Sequence, residues 1–589
     1  MHLHDAHDAH ATGRFGREAG WTGESGGPSH RRPVGYRFRD NPEPARLVGV
    51  LFVALLLAAL GGAGCAPSPR DAARASVEHP VPGGTLRILH EMTTNLDPAA
   101  VDDAYEATVV DQIYEGLVRL DSDLGVSPCL ARTWTVAEEG RLYRLILRDG
   151  VRFHDGRPLT AECVVRSFER ALDPHKKFPC LAETYLLWIE GAPEFAAGRV
   201  AHVRGLRAAG DTVEIRLAEP LGYFLSVLCM DQVKVLPMLR PGESPSKDPV
   251  GTGPFRFAGR RPNGDIFLAR FGEYWGEKAL PDSLHFVVSH ADATPAEQVA
   301  MLLRGEVHVV SLAPSQRRTV EDVPGYRILR SPDFSVSFIG LNRNYPPLDR
   351  KEVRQAIAMA VDRKDLISPA AAGTITPATG ILPPRMAGYR PEPKVLPFDP
   401  DSARTLLARA GYGLGHTVPP IDYYSTDADT VRYLRGLRKQ LREIGIELRT
   451  HQLSWTDFDA RLTQGQAPMF GVSWIADLPD PDAILYFLFR SGESNNFFGF
   501  HDAGVDSLLE AGRRMGPGAE RFELYRRIES AVLLRAPMIP TFTGISLYAW
   551  DPTVRGVDPN PFGFSLTPFD RIWFAPPGAA GDPLTERLP

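Results

Sequence analysis

From residue 83 onward, apolar residues recur along the chain with two different periods. GGTLRIL (83–89) sets an apolar side chain at alternate positions, the pattern of a strand with one buried face. In YEATVVDQIYEGLVRL (105–120), Val109, Ile113, Leu117 and Leu120 recur at helical spacing and predict one amphipathic helix. RLYRLILRDGVRFHDG predicts two strands turned at Asp149-Gly150, a dipeptide favoured in hairpins. Thr160 then stands as N-cap to a helix running from Ala161 into Leu172.

The same alternation continues further along. VGTGPFRF (250–257), DIFLARF, SLHFVVSH and VHVVSL read as strands, the last two separated by the helical TPAEQVAMLLRGE. Thr294 with Glu297, and Asp349 with Glu352, have capping-box spacing at two helix starts. Val353, Ile357 and Val361 share one face of the second of these helices. From FSVSFIGLNRN (334–344) strands and helices alternate again, and DPDSARTLLARAGY, VRYLRGLRKQLREIGIELRTHQL and the apolar run MFGVSWIA (469–476) complete a βα-rich lobe. The last strands are placed near MIPTF (538–542) and SLYAW (546–550). This rhythm of strand, helix and hairpin predicts a mixed α/β protein of two lobes.

Composition narrows the function. At 589 residues, 43% apolar and 23% charged, the chain has the profile of a folded globular protein. Domains of about 100–200 residues make that length about three domains. A net charge of -6 without a basic stripe argues against a nucleic-acid partner. Between residues 82 and 575 the chain contains no GxSxG, HExxH or GxxxxGK[ST], so no catalytic constellation and no cofactor is expected. His2, His4, His7 and His10 are chelating residues, but no acid/His framework follows to hold a metal. Cys129, Cys163, Cys180 and Cys229 allow three disulfide pairings, or stand as buried thiols.

The N-terminal region has the layout of an export signal. LVGVLFVALLLAAL (47–60) is uncharged and shorter than the about 20 apolar residues that span a bilayer. GGAGC follows, and the segment 47–65 resembles a bacterial lipoprotein signal in which Cys65 is lipidated; Gly62 stands where Leu is usual. Residues 1–46 form an extension of doubtful status, and a start at Val34 gives a more ordinary leader. Residues 66–81, rich in Ala, Pro and Ser, read as a tether.

WIADLPDPDAIL (474–485) combines three acids with two prolines at the end of an apolar run. Turn chemistry explains Pro479 to Pro481, but it does not require an acid at Asp477.

The ordered set GTLRIL, NLDP, IYEGLVRLDSDLGVSPCLARTW, YRLILRDGVRFHDGRPLTAECV, VGTGPFRF, GLNRNYPPLDRKEVRQAIAMAVDRKDLI and WIADLPDPDAIL resembles the family 5 extracytoplasmic solute-binding proteins of peptide ABC importers, across roughly residues 82–570. The resemblance implies a two-lobed periplasmic-binding-protein fold of type II, the large class, with a ligand cleft that hinges shut. It implies a first lobe from 82–121, 246–332 and 546–574, an additional domain at 122–245, a second lobe at 333–545 and a loose tail at 575–589. Within this resemblance Asp477 accepts the ammonium of a peptide N-terminus, while Ser473 and Trp474 offer backbone groups to it as to an added strand. Asp102, beside Asp103, is the second acid near that terminus, and Tyr105 is a candidate liner. Three positions depart from the family pattern. Gly471 replaces an Arg that holds the ligand carboxylate in some relatives, and Cys163 and His308 replace acids at structural positions. The implied partners are a peptide, the permease subunits with their ATPases, and the membrane through a lipid anchor, with the chain acting as a monomer outside the cytoplasm. Other ligands of the same fold (sugars, opines, metal chelates) and an envelope sensor or chaperone role are the alternatives.

Overall fold

The computed structural model describes residues 79–289, 293–367, 373–392, 396–413, 415–426, 431–558 and 560–575. The readings made for the extension, the signal segment with Cys65, most of the tether, and nearly all of the tail lie outside these residues. No helix among the described residues is long and apolar enough to cross a membrane.

The first alternating run becomes β1 (Thr85–His90), with Leu86 and Ile88 fully buried. α1 (Ala104–Ile113) follows, but it stops well short of the predicted Leu120. Gly251 packs so tightly on the backbone of Ile113 and Tyr114 that a Cβ there would overlap it, and the chain leaves the helix at this point. Residues beyond it form β2 (Val118–Leu120), paired with β3 (Val126–Pro128). Apolar positions that read as one helical face are therefore buried by two different elements.

β4 (Ala131–Ala137), β5 (Leu142–Leu147), β6 (Leu206–Ala209) and β7 (Thr212–Arg216) form a separate sheet in the order β4-β5-β7-β6. Asp149-Gly150 does turn, with Gly150 at φ +74, yet the expected hairpin is absent. Both edges of β5 are taken by β4 and β7, and the chain past the turn makes only an isolated bridge between Arg152 and Pro158. α2 (Ala161–Ala171) starts as expected, the Cys163 amide donating to the Thr160 hydroxyl at 3.4 Å.

The main sheet continues with β8 (Phe255–Arg260), β9 (Ile266–Arg270) and β10 (Ser283–Val288), then α3 (Pro295–Leu303), β11 (Val309–Ser311) and β12 (Arg327–Pro332). Thr294 caps α3 by accepting the Glu297 amide at 3.3 Å. Beyond the crossover come β13 (Ser335–Leu341), α4 (Lys351–Ala360), β14 (Ile375–Pro377), α5 (Pro400–Arg409), β15 (Ile421–Ser425), α6 (Val431–Glu443), β16 (Leu448–Gln452) and β17 (Met469–Ile475). The capping box expected at Asp349 does not form. Arg350 occupies the N-cap of α4, and the Arg354 guanidinium donates to the carbonyls of Leu348 and Asp349 at 2.7 and 3.1 Å. α7 (Asp482–Phe489), α8 (Ala503–Arg514) and α9 (Ala519–Arg535) lead into β18 (Met538–Trp550).

β18 merges the two strands expected at the end of the chain. MIPTFTGISLYAW has no breaker strong enough to divide it, and the strand pairs first with β13 and β14, then with β11 and β12. One twelve-stranded sheet results, ordered β16-β15-β17-β13-β18-β11-β1-β10-β9-β8, with β12 and β14 also on β18. β18 thus runs through both halves of the sheet. One core lies under the β1 half (Ile88, Val109, Phe286) and another under the β13 half (Ile357, Leu437, Leu441). A third core packs the β4–β7 segment against α7–α9 through Phe224, Leu485 and Tyr525. Cys129, Cys163, Cys180 and Cys229 are all buried free thiols.

Candidate binding cleft

β17 ends at Ile475, and the Ala476 amide still donates to Phe334 across the sheet at 3.0 Å. The next residue, Asp477, has left the ladder and opens into a cavity of about 540 Å³. The cavity walls come from both halves of the sheet: Val101 to Ala104, Asp231, Asp333, Phe334, Asp477 and Tyr548. Asp477 is exposed to this space but crowded by protein, and desolvation raises its carboxyl above the usual carboxylate range. Among the described residues it has no hydrogen-bond or ion-pair partner.

The other acids of the same stretch are spent on structure. Asp482 is fully buried and accepts from the hydroxyls of Tyr223 and Tyr525, each at 2.7 Å, and from Arg513 at 2.6 Å. Asp480 accepts from Arg521 at 2.6 and 2.8 Å and from the Asp482 amide at 3.0 Å. Burial works against the charges on Arg513 and Arg521, but the two carboxylates outweigh it and hold both guanidiniums above their usual values.

On the opposite wall, Asp103 is the N-cap of α1, its Oδ1 accepting the amides of Tyr105 and Glu106 at 2.7 and 2.8 Å. Asp102 is exposed beside it and lines the cavity. Asp102, Asp103 and Glu106 each bring a carboxylate oxygen within 4.8 Å of the others. Burial, then the neighbouring Asp103 and Asp102, raises the Glu106 carboxyl.

The side chains of three expected residues point elsewhere, two of which, Ser473 and Trp474, are expected to contribute only backbone groups. Tyr105 does not line the cavity: its hydroxyl donates to Glu91 at 3.1 Å and its ring lies edge-on to His90 at 5.4 Å. Burial and Glu91 push that phenol up to about 12. The Trp474 indole donates to the Ala483 carbonyl at 3.1 Å, and the Ser473 hydroxyl pairs with that of Ser337 at 2.7 Å, so neither side chain faces the cavity. Their neighbour Ile475 does line it, at 69% exposure. On its outer edge β17 pairs with β15 only at Met469 and Phe470, and Gly471 to Ile475 meet no further described strand there. At Gly471 a Cβ would overlap the Tyr423 hydroxyl, so the space of a side chain is already filled. His308 is packed: the Arg87 amide donates to its Nδ1 at 3.0 Å, and burial, with Arg87, lowers its pKa to about 4.

The sequence reading missed Asp231 and Asp333. Asp333 sits at the crossover between the sheet halves and accepts the Ser335 amide at 3.0 Å. Asp231 lies 3.7 Å from Lys234, whose ammonium meets Asp111 at 2.5 Å. No local motif marks either position.

A mixed sheet whose two halves share one strand, with an acid-lined cleft walled by both, defines a two-lobed α/β solute-binding protein. The model for bacterial extracellular solute-binding proteins, family 5 (middle region), matches residues 125–496. The probable di/tripeptide-binding protein 5 of Pseudomonas aeruginosa is 29% identical over 482 residues, 77% of this chain and 88% of that protein. Heme-binding protein A of Haemophilus influenzae is also 29% identical over 482 residues, 77% of this chain and 85% of its own. Among solved structures, HbpA2 from Haemophilus parasuis superposes with a TM-score of 0.74 at 25% identity, covering 84% of this chain and all of that one (100%). The chain belongs to the family 5 bacterial extracellular solute-binding proteins.

Proposed function

We propose that this protein is the extracytoplasmic receptor of an ABC importer and captures peptides by their free N-terminal ammonium group. One observation carries the reading: Asp477, just past the end of a core strand, faces the cleft with no cation or donor among the described residues committed to it. An unpaired, desolvated carboxylate is costly, and its retention is accounted for when the ligand supplies the partner. Lobe closure removes water and strengthens that ion pair. Asp102 is the second acid near the ammonium. The open edge of β17 around Ser473 and Trp474 pairs with the peptide main chain, which is indifferent to side-chain identity. The similarity to a di/tripeptide-binding protein supports this ligand class. Delivery is to permease subunits and their ATPases, by a monomer held at the outer face of the membrane through a lipid on Cys65.

Thermal melting tests the reading. A short peptide at 100 times its Kd contributes about 2.7 kcal/mol of apparent stability. N-acetylation of the same peptide is expected to remove most of that shift, and Asp477→Asn to abolish the difference between the two forms. A binding peptide indifferent to N-acetylation sinks the assignment.

A further inference from the structure

The charge composition of the cleft says more about the ligand than the single ammonium contact does. Five aspartates line it (Asp102, Asp103, Asp231, Asp333 and Asp477), and no Lys, Arg or His stands among the described residues of its wall. Burial, then Asp111, pushes the Asp231 carboxyl well above the usual carboxylate range and weakens its charge; local hydrogen bonds do not cancel the charges of the other four. Asp103 takes two backbone amides and Asp333 takes the amide and hydroxyl of Ser335, all neutral donors. Lys234 compensates in part, but it is shared between Asp111 and Asp231 from behind the wall. Asp102 and Asp477 stand on opposite walls, the first exposed beside a capping acid, the second without a partner. A single ammonium neutralises one of these carboxylates and leaves the others facing whatever else the ligand carries. In a cleft that closes on its guest, a ligand carboxylate then meets uncompensated like charge, and a second cation meets a waiting partner.

Resting on the peptide reading above, we infer that this cleft selects peptides of net positive charge, with a basic side chain near the free amine, and rejects those carrying acidic groups. This separates the chain from relatives whose names denote anionic ligands, such as the heme-binding protein. The apolar part of the wall, Phe334, Tyr548 and Phe562, accommodates the aliphatic stem of a Lys or Arg while its head reaches an acid.

The test is calorimetric titration of the mature protein with three peptides that all keep a free N-terminus: Lys-Ala-Ala-amide, Ala-Ala-Ala and Glu-Ala-Glu. The expected order is Lys-Ala-Ala-amide tightest, by tenfold or more over Ala-Ala-Ala, with Glu-Ala-Glu weakest. The gap is expected to shrink as salt is raised, and Asp333→Asn to narrow it, with an unchanged circular-dichroism spectrum and urea unfolding transition reporting that the variant is folded. Equal affinities, a reversed order or a gap unmoved by salt overturns the charge selection. If free-amine peptides bind better than acetylated ones but the charge order is flat, only this inference fails. If none of the three binds, the peptide reading fails with it.

Discussion

Asp477 and the pair Asp480 and Asp482 lie within six residues of one another, in the same chemical wording, yet the fold treats them oppositely. Asp480 and Asp482 are surrounded by donors: two arginines and two tyrosine hydroxyls converge on them from α8, α9 and residues 219–230, and the Asp482 amide itself donates to Asp480. Among the described residues Asp477 receives none. A carboxylate whose hydrogen-bonding capacity is saturated from within has nothing left to offer a ligand. One that is desolvated and left bare raises the energy of the empty protein and lowers it again when a cation arrives. Composition alone does not separate a structural acid from a recognition acid; the inventory of donors around each does.

The largest effect expected from this contrast is on stability. Asp482→Ala leaves Arg513 buried without its counter-charge, and removal of one partner from a buried pair costs about 3–5 kcal/mol. Urea unfolding measures it. Asp477→Ala in the same assay is expected to cost little or to stabilise, because the charge it removes has no partner. Equal losses at the two positions break the comparison.

The next effect is on binding and its pH dependence. Desolvation raises the Asp477 carboxyl, so in the empty protein the protonated form is the better tolerated one. Its contribution to stability is complete below the unfolded value and is lost as pH rises through the raised folded value. Ammonium capture runs in the opposite direction, since only the ionised carboxylate attracts a cation. Affinity for a free-amine peptide therefore falls as pH drops through that raised value, earlier than an ordinary carboxylate allows. Asp477→Asn is expected to cost about 2–5 kcal/mol of binding, the usual loss on truncating a buried charge pair, and to flatten the pH profile. Titrations between neutral and mildly acidic pH decide it.

The same contrast explains how much was legible beforehand. Strands such as β1 and β17 announce themselves because alternation with a buried face, or a short apolar run, is a local property. The end of α1 does not, because Leu117 and Leu120 keep helical spacing while Gly251, far along the chain, occupies the space the helix would need. The Asp149-Gly150 turn was readable, but its strand partners were not: β5 is claimed by β4 and β7 through long-range pairing. Likewise MIPTF and SLYAW read as two strands, since what makes them one is the row of partners on either side. In the cleft, Asp477 and Asp102, singled out from the motifs around them, both line the cavity. Asp231 and Asp333 were not singled out, because Asp333 reaches the cavity at the crossover of the two sheet halves and Asp231 from the long segment between β7 and β8. Tyr105 was placed on the correct segment and the wrong side, its direction set by Glu91 and His90.

The smallest effect is the most local. Tyr223 belongs to the segment carrying β4–β7 and reaches Asp482 from 259 residues away, beside Tyr525 and Arg513. Tyr223→Phe removes one donor and keeps the ring in its core. A hydrogen bond to a charged acceptor contributes about 1.5–3 kcal/mol, and the expected loss lies at the low end of that range because the remaining donors still hold the carboxylate. It is therefore smaller than the loss on removing Asp482 itself, and the two losses do not add, since both act on one network. A double-mutant cycle between Tyr223→Phe and Arg513→Lys reads that coupling directly. Simple additivity there breaks the picture of Asp482 as a carboxylate shared between the two segments, and with it the physical ground for setting Asp477 apart.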